Sequence, residues 1–196
     1  MASPDMLSIL QILETGSLNE TVRANLSDKK KIKDLFLVVV RAIEIPKNKL
    51  LVSSLLQFIS NLCYGTGKLK QMLARENLQE FMGTIKEILD QIKVERTFED
   101  ACEDYEEENK DAATKKRFED KEIADKSLLK NTLYALIGNL CTEKTLRVNF
   151  ANDLGGILSQ IVEDFKTDLK NKKFDWLDMM TKQIAIFINV TMEVPA

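Results

Sequence analysis

Three asparagines recur at one place in three similar apolar phrases: Asn61 in SLLQFISNLC, Asn139 in TLYALIGNLC and Asn189 in KQIAIFINVTM. A carboxamide is donor and acceptor at once, so what each of these bonds to bears directly on function. Little other chemistry competes with them. The chain has no histidine, which removes the commonest general base, the Ser–His and Cys–His pairs and most zinc sites. Cys63, Cys102 and Cys141 show no C-x-x-C spacing. Cys63 and Cys141 fall at equivalent positions of the repeated phrase, where a small buried hydrophobe is expected. Gly65-Thr66-Gly67-Lys68 has the composition of a phosphate loop, but no strand leads into it and Leu69 follows, so a helix-ending turn is the better reading. The acidic run from Glu103 to Glu108 lacks the alternating ligands of a calcium loop and reads as a solvated segment. Lys29, Lys30, Lys31 and Lys33 read as a solvated helix face. No catalytic residue, metal or cofactor is expected, and the chain reads as a non-enzyme.

The elements that must position these asparagines are helices. The 196 residues contain three prolines and seven glycines, too few for a turn-rich sandwich, and 44% are apolar against 30% charged. The net charge of −3 sets up no basic field for nucleic acid. The N-terminus lacks a secretory signal, and the longest apolar runs, such as Leu35 to Val40, fall far short of a membrane span. Reduced thiols in the cytoplasm or nucleus follow. Apolar periodicity predicts helices near 7–13, from 28 to 45, from 49 to 64, over 68–74 and from 77 to 94. Pro46 closes the second. From Glu95 to Glu108 there are eight acidic residues against one arginine, and mixed charge continues to Lys126. This charged insertion, at about 94–126, is expected to be a solvated helix extension or a loop. Helical pattern resumes over 127–141, 146–152, 155–169 and 174–191.

Internal repetition decides how the helices assemble. With Asn61 set against Asn139, Leu55 matches Leu133, Ile59 matches Ile137, Leu62 matches Leu140 and Cys63 matches Cys141. Asn139 follows Asn61 by 78 residues and Asn189 follows by a further 50. Setting aside the 34 residues from Lys93 to Lys126 brings the first spacing to 44. That lies within the 40–47 residues of stacked helical repeats.

Units of this kind, with Asn-Leu-Cys followed by a short helix and then Leu154-Gly155-Gly156-Ile157-Leu158, resemble armadillo repeats. The resemblance covers about 160 residues, most closely around Asn139 to Leu158. It implies an all-α, right-handed superhelical solenoid of about three to four repeats with a charged insertion, in one domain over 1–196. It also implies that the repeated asparagines line a concave groove and bond the backbone of an extended or helical segment of another protein. Asn61, Asn139 and Asn189 are then the groove residues, with Gln57 and Ala135 one turn before them. The alternative use of each asparagine is to bridge neighbouring helices inside the fold. Importin-type relatives carry tryptophan at the positions of Gln57, Ala135 and Ala185, so binding of a nuclear signal is not implied. Trp176, the single tryptophan, reads as a core residue or, if exposed, an anchor. The Asn-Leu-Cys-Tyr-Gly phrasing is also somewhat similar to armadillo guanine-nucleotide-dissociation stimulators, which makes a regulator of a small GTPase the second reading. The last helix carries Ile184, Phe187, Ile188 and Val190. An apolar face there is expected either to continue into further repeats of a longer protein or to self-associate.

Overall fold

The structure, a computed structural model, describes residues 4–26, 34, 37–39, 41–42, 49–64, 67–76, 78–93, 112–152, 156–171 and 176–192. Among these the chain is all-α, with no strand. The helices are α1 (Pro4–Gly16), α2 (Glu20–Leu26), α3 (Lys49–Cys63), α4 (Gly67–Glu76), α5 (Leu78–Lys93), α6 (Ala112–Leu140), α7 (Lys144–Ala151), α8 (Ile157–Asn171) and α9 (Trp176–Thr191). Of the predicted helix over 28–45, the described residues 34, 37–39 and 41–42 are helical, with Val39 and Ala42 buried, while the basic cluster at Lys29–Lys33 and the acidic run at 103–108 lie outside the described residues.

Two layers organise these helices. In one, α3 packs between α1 and α6, and α6 packs between α3 and α9. In the other, α4 and α5 pack on each other, as do α7 and α8, and the two pairs meet through α4 with α7 and α5 with α8. α3 with α4 and α5 behind it, and α6 with α7 and α8 behind it, therefore form two units that pack in chain order, and α9 packs next on α6.

The burial pattern of α3 follows from its place between three neighbours. Leu51, Val52, Leu55, Leu56, Phe58, Ile59, Leu62 and Cys63 are all buried, leaving one narrow stripe in contact with water. By contrast, α5 is amphipathic in the usual surface-helix way, burying Phe81, Met82, Ile85, Ile88 and Leu89 along one side. One core joins the layers, with Leu133, Leu136, Ile137 and Leu140 of α6 meeting Leu146, Phe150, Ile157 and Ile161. Each such side chain removed from water contributes about 1.5–3 kcal/mol.

Local signals set the ends of the shorter helices. Glu143 caps α7, its carboxylate accepting from the Leu146 amide at 2.8 Å. Gly156 enters α8 at φ 71°, a conformation that disfavours any residue with a Cβ and accounts for glycine in the Gly-Gly-Ile phrase.

The charged stretch expected at about 94–126 divides in two. Residues 94–111 lie outside the described residues, whereas 112–126 form the first half of α6, continuous with the apolar half that carries Asn139. Its lysines, glutamates and alanines favour helix without needing an apolar face. It is tied to α3 by Glu122, which pairs with Lys49 and, within its own helix, with Lys126 at 3.6 Å. No helix among the described residues is long and apolar enough to cross a membrane.

Candidate protein-binding face

The Asn-bearing helices run parallel and in register. Lys49 meets Glu122 near the start of α3, and Ser60 meets Asn139 near its end. In the same way Asn131 meets Asp178, and Gly138 meets Asn189. Parallel, evenly stepped helices bring equivalent positions of successive repeats into rows across the stack.

The asparagines form one of these rows, and each reaches back to the preceding helix. Asn61 Nδ2 donates to the Glu14 carbonyl at 3.3 Å. Asn139 Nδ2 donates to Ser60 Oγ at 2.8 Å and lies 3.5 Å from the Ser60 carbonyl. Asn189 Nδ2 donates to the Gly138 carbonyl at 3.1 Å. In every case the acceptor precedes, or stands at the position preceding, the equivalent asparagine of the helix before. The repeated amide thus bridges neighbouring helices, the alternative that the sequence left open.

The bridging uses only one end of each amide. Asn61 Oδ1 accepts from Gln57 Nε2 at 2.9 Å, so Gln57 braces the first rung. Among the described residues no donor faces Oδ1 of Asn139 or Asn189. All three asparagines are half-buried, with one edge toward solvent.

Around this row lies a face with few charges. Leu50, Ser54, Gln57, Asn61 and Tyr64 form the less buried stripe of α3 and its end, and Leu128, Asn131, Ala135, Asn139 and Thr142 that of α6. On α9 the matching positions are Asp178, Ala185, Asn189 and, just past its end, Met192. Ala135 is half-buried beside Gln57 in register, and Ala185 is exposed. The charges there, Asp178 and Lys182, pair with each other at 2.8 Å, and Asp178 also accepts from Asn131 at 2.6 Å. Those two hydrogen bonds hold its carboxyl below the usual carboxylate range. The side chain of Trp176, the suggested anchor, lies outside the described residues.

The reactive groups weighed from sequence are placed inertly. Cys63 and Cys141 are buried, and desolvation pushes both thiols up to about 12. Gly67 opens α4, while Gly65 and Thr66 lie outside the described residues. Among the described residues no group of three or more Cys, Asp or Glu is placed to hold a metal ion.

Sequence reasoning missed a polar clamp behind this face. Tyr134 of α6 is buried and donates to Asp164 of α8 at 2.5 Å. Lys130 lies 2.9 Å from Asp168 and 3.7 Å from Asp164, with its ammonium 5.7 Å from the Tyr134 ring centre. Gln183 of α9, fully buried, donates to Asp168 at 3.0 Å. One lysine is thereby set against two carboxylates, and three helices are fixed to one another. The signal available was a tyrosine and a glutamine at core positions of apolar helices, where a buried hydroxyl or amide requires a partner.

Compared with family models, with curated proteins and with solved structures, the chain matches none of them.

Proposed function

We propose that this chain is a non-enzymatic, armadillo-type domain of about three to four repeats, wound as a right-handed superhelix. Its Asn-lined face binds an extended or helical segment of another protein. The observation that carries the reading is the half-buried row of Asn61, Asn139 and Asn189 across three parallel helices, with Oδ1 of the last two lacking an internal donor. An acceptor held at fixed intervals by bonds on its other end suits backbone N–H groups of a docked strand. The small residues Ala135 and Ala185 beside the row leave room for backbone to approach. With so few charges, the face favours a segment that is itself largely uncharged.

The test is selection of peptides from a random library on the immobilised chain, followed by affinity measurement on two variants. Ala135→Glu puts a charge and bulk beside the asparagine row and is expected to abolish binding with helicity unchanged. Val148→Glu, exposed on α7, is expected to leave binding intact. Selected peptides whose affinity is indifferent to Ala135→Glu would remove the proposal, as would failure to select any.

A further inference from the structure

A second row, of cations, runs beside the asparagines. The helix that follows each of α1, α3 and α6 carries a cation as its fourth residue: Arg23 in α2, Lys70 in α4 and Arg147 in α7. Leu69 and Leu146, just before the last two, are buried, as are Leu73 and Phe150 one turn on. Lys70 and Arg147 therefore occupy one position of the repeat, and their surroundings match. Burial pushes the thiols of Cys63 and Cys141 up, and the opposing charge is Lys70 at the first and Arg147 at the second.

A cation in the first turn opposes the dipole of its own helix, so its recurrence calls for an acceptor outside that helix. Arg23 has one beyond the end of α1, where its Nη1 donates to the Leu18 carbonyl at 2.7 Å and the Ser17 carbonyl at 3.4 Å. Lys70 instead leaves its own unit and donates to Thr142 Oγ1 at 2.8 Å. Thr142 ends the face stripe of α6, one turn past Asn139, so this ammonium stands at the edge of the asparagine row. In the next helix Met192 holds the position of Thr142, and its side chain offers no oxygen. Arg147 accordingly makes no side-chain hydrogen bond among the described residues, and its Nε is buried without a partner. Neither Lys70 nor Arg147 pairs with a described carboxylate, and Glu143, beside Thr142, is turned to the Leu146 amide.

We propose that Lys70 and Arg147 receive acidic side chains of the segment that docks along the asparagine row. The inference rests on that docking and names its chemistry: a stretch uncharged over the asparagines, with two carboxylates on the flank toward the helix C-termini. Helices packed about 8–10 Å apart and a strand rise of about 3.3 Å set those carboxylates roughly two to four residues apart. The guanidinium takes one carboxylate through its fork, and the ammonium takes the other while keeping Thr142. Two such cations on a chain of net charge −3 are too few to track a nucleic-acid backbone, so the anions are protein carboxylates.

The test starts from peptides selected on the whole chain and compares each with its carboxamide analogue, Asn for Asp and Gln for Glu. Selected sequences are expected to carry paired acidic residues, and the analogues to bind about fivefold or more weakly at low salt. Lys70→Glu is expected to weaken the acidic peptides by at least that factor and to leave the analogues unchanged. Lysine in place of the facing acid then restores binding to that variant. Arg147→Met repeats the loss at the other acid; if it loses helicity, Lys70→Glu, at an exposed bond, decides alone. Peptides without acidic residues, or acidic peptides indifferent to Lys70→Glu, overturn the inference, while their sensitivity to Ala135→Glu keeps the docking face. Sensitivity to Lys70→Glu with indifference to Ala135→Glu does the reverse, retaining the cations as an acid-binding site and removing the asparagine face. A single-stranded oligonucleotide that binds more tightly than any selected peptide, and is lost in Lys70→Glu, assigns the row to phosphate and also overturns the inference.

Discussion

Asn139 on α6 donates to Ser60 on α3 across the stack, Nδ2 to Oγ at 2.8 Å, and Ser60 immediately precedes the equivalent asparagine of its own helix. Ser60 is buried where this bond forms, so its loss leaves a buried hydroxyl unpaired. Asn139→Ala is expected to destabilise the fold by about 1–3 kcal/mol, and Ser60→Ala by less, because the Ser60 carbonyl remains near the amide. Urea denaturation of both single variants and the double variant measures the coupling. Additive effects would show that the bond contributes nothing.

Gly138 stands where Ser60 does, yet a Cβ built there meets nothing closer than Ile186 Cγ1 at 3.8 Å. Ser60 carries a Cβ at the matching position and still receives its asparagine, so an alanine at 138 does not obstruct Asn189. Glycine inside a helix costs about 0.5–1 kcal/mol relative to alanine. Gly138→Ala is therefore expected to raise stability by up to about that amount, read from the midpoint of thermal or urea unfolding. A destabilised variant would mean that the α6–α9 approach is tighter than the Cβ distance allows.

Much of this arrangement could be read before any coordinates. The recurring Leu, Ile and Cys positions located the buried sides of α3 and α6, and the repeated asparagine marked a position that forms a row across the stack. What the asparagine bonds to was not legible, because one carboxamide serves a neighbouring helix or a visiting peptide equally well. The acceptor had a faint signature in Ser60 and Gly138, which immediately precede Asn61 and Asn139. The first half of α6 was ambiguous for another reason: it folds by helix propensity and the Lys49–Glu122 pair, neither of which leaves an apolar period. The clamp of Lys130, Tyr134, Asp164, Asp168 and Gln183 draws on three helices, and no local spacing encodes such a meeting.

Glu122 ties the charged half of α6 to α3, with the Lys49 and Glu122 side chains only 12% and 14% exposed. Replacing Glu122 by alanine leaves Lys49 without that partner and α6 without that anchor. Amide hydrogen exchange is expected to accelerate over 112–124 while 129–140 stays protected by the apolar core. Uniform acceleration over the whole helix would show that α6 opens as one unit and that the pair does not divide it.

The thiols of Cys63 and Cys141 are raised from an ordinary value of 9.0 to about 12 by burial. A group raised on folding contributes stability that is complete below its unfolded value. That contribution is lost as pH climbs through the folded value, here between 9 and 12. In the Cys102→Ser background, an aromatic disulfide reagent at pH 8 is expected to modify neither thiol in the native protein and both in denaturant. Rapid native labelling of either would place that sulfur in contact with water.

Tyr134 joins the alkaline limit to the polar clamp. Burial raises its phenol well above the ordinary range, and the Asp164 charge and hydrogen bond add to the shift. The neutral phenol is the folded form, so its stabilisation is complete below about pH 10 and declines as pH rises further. Tyr134→Phe removes the donor to Asp164 and is expected to cost about 1.5–3 kcal/mol at pH 7, the range for hydrogen bonds to charged groups. Above pH 10 the variant has no phenol to ionise, whereas the parent's unfolded chain releases the Tyr134 proton that the folded chain still holds beside two carboxylates. The stability gap between the two proteins is therefore expected to narrow with rising pH. The buried thiols titrate in both proteins and cancel from that difference. A gap that stays constant to the alkaline limit would show that folding leaves the Tyr134 phenol in its ordinary range.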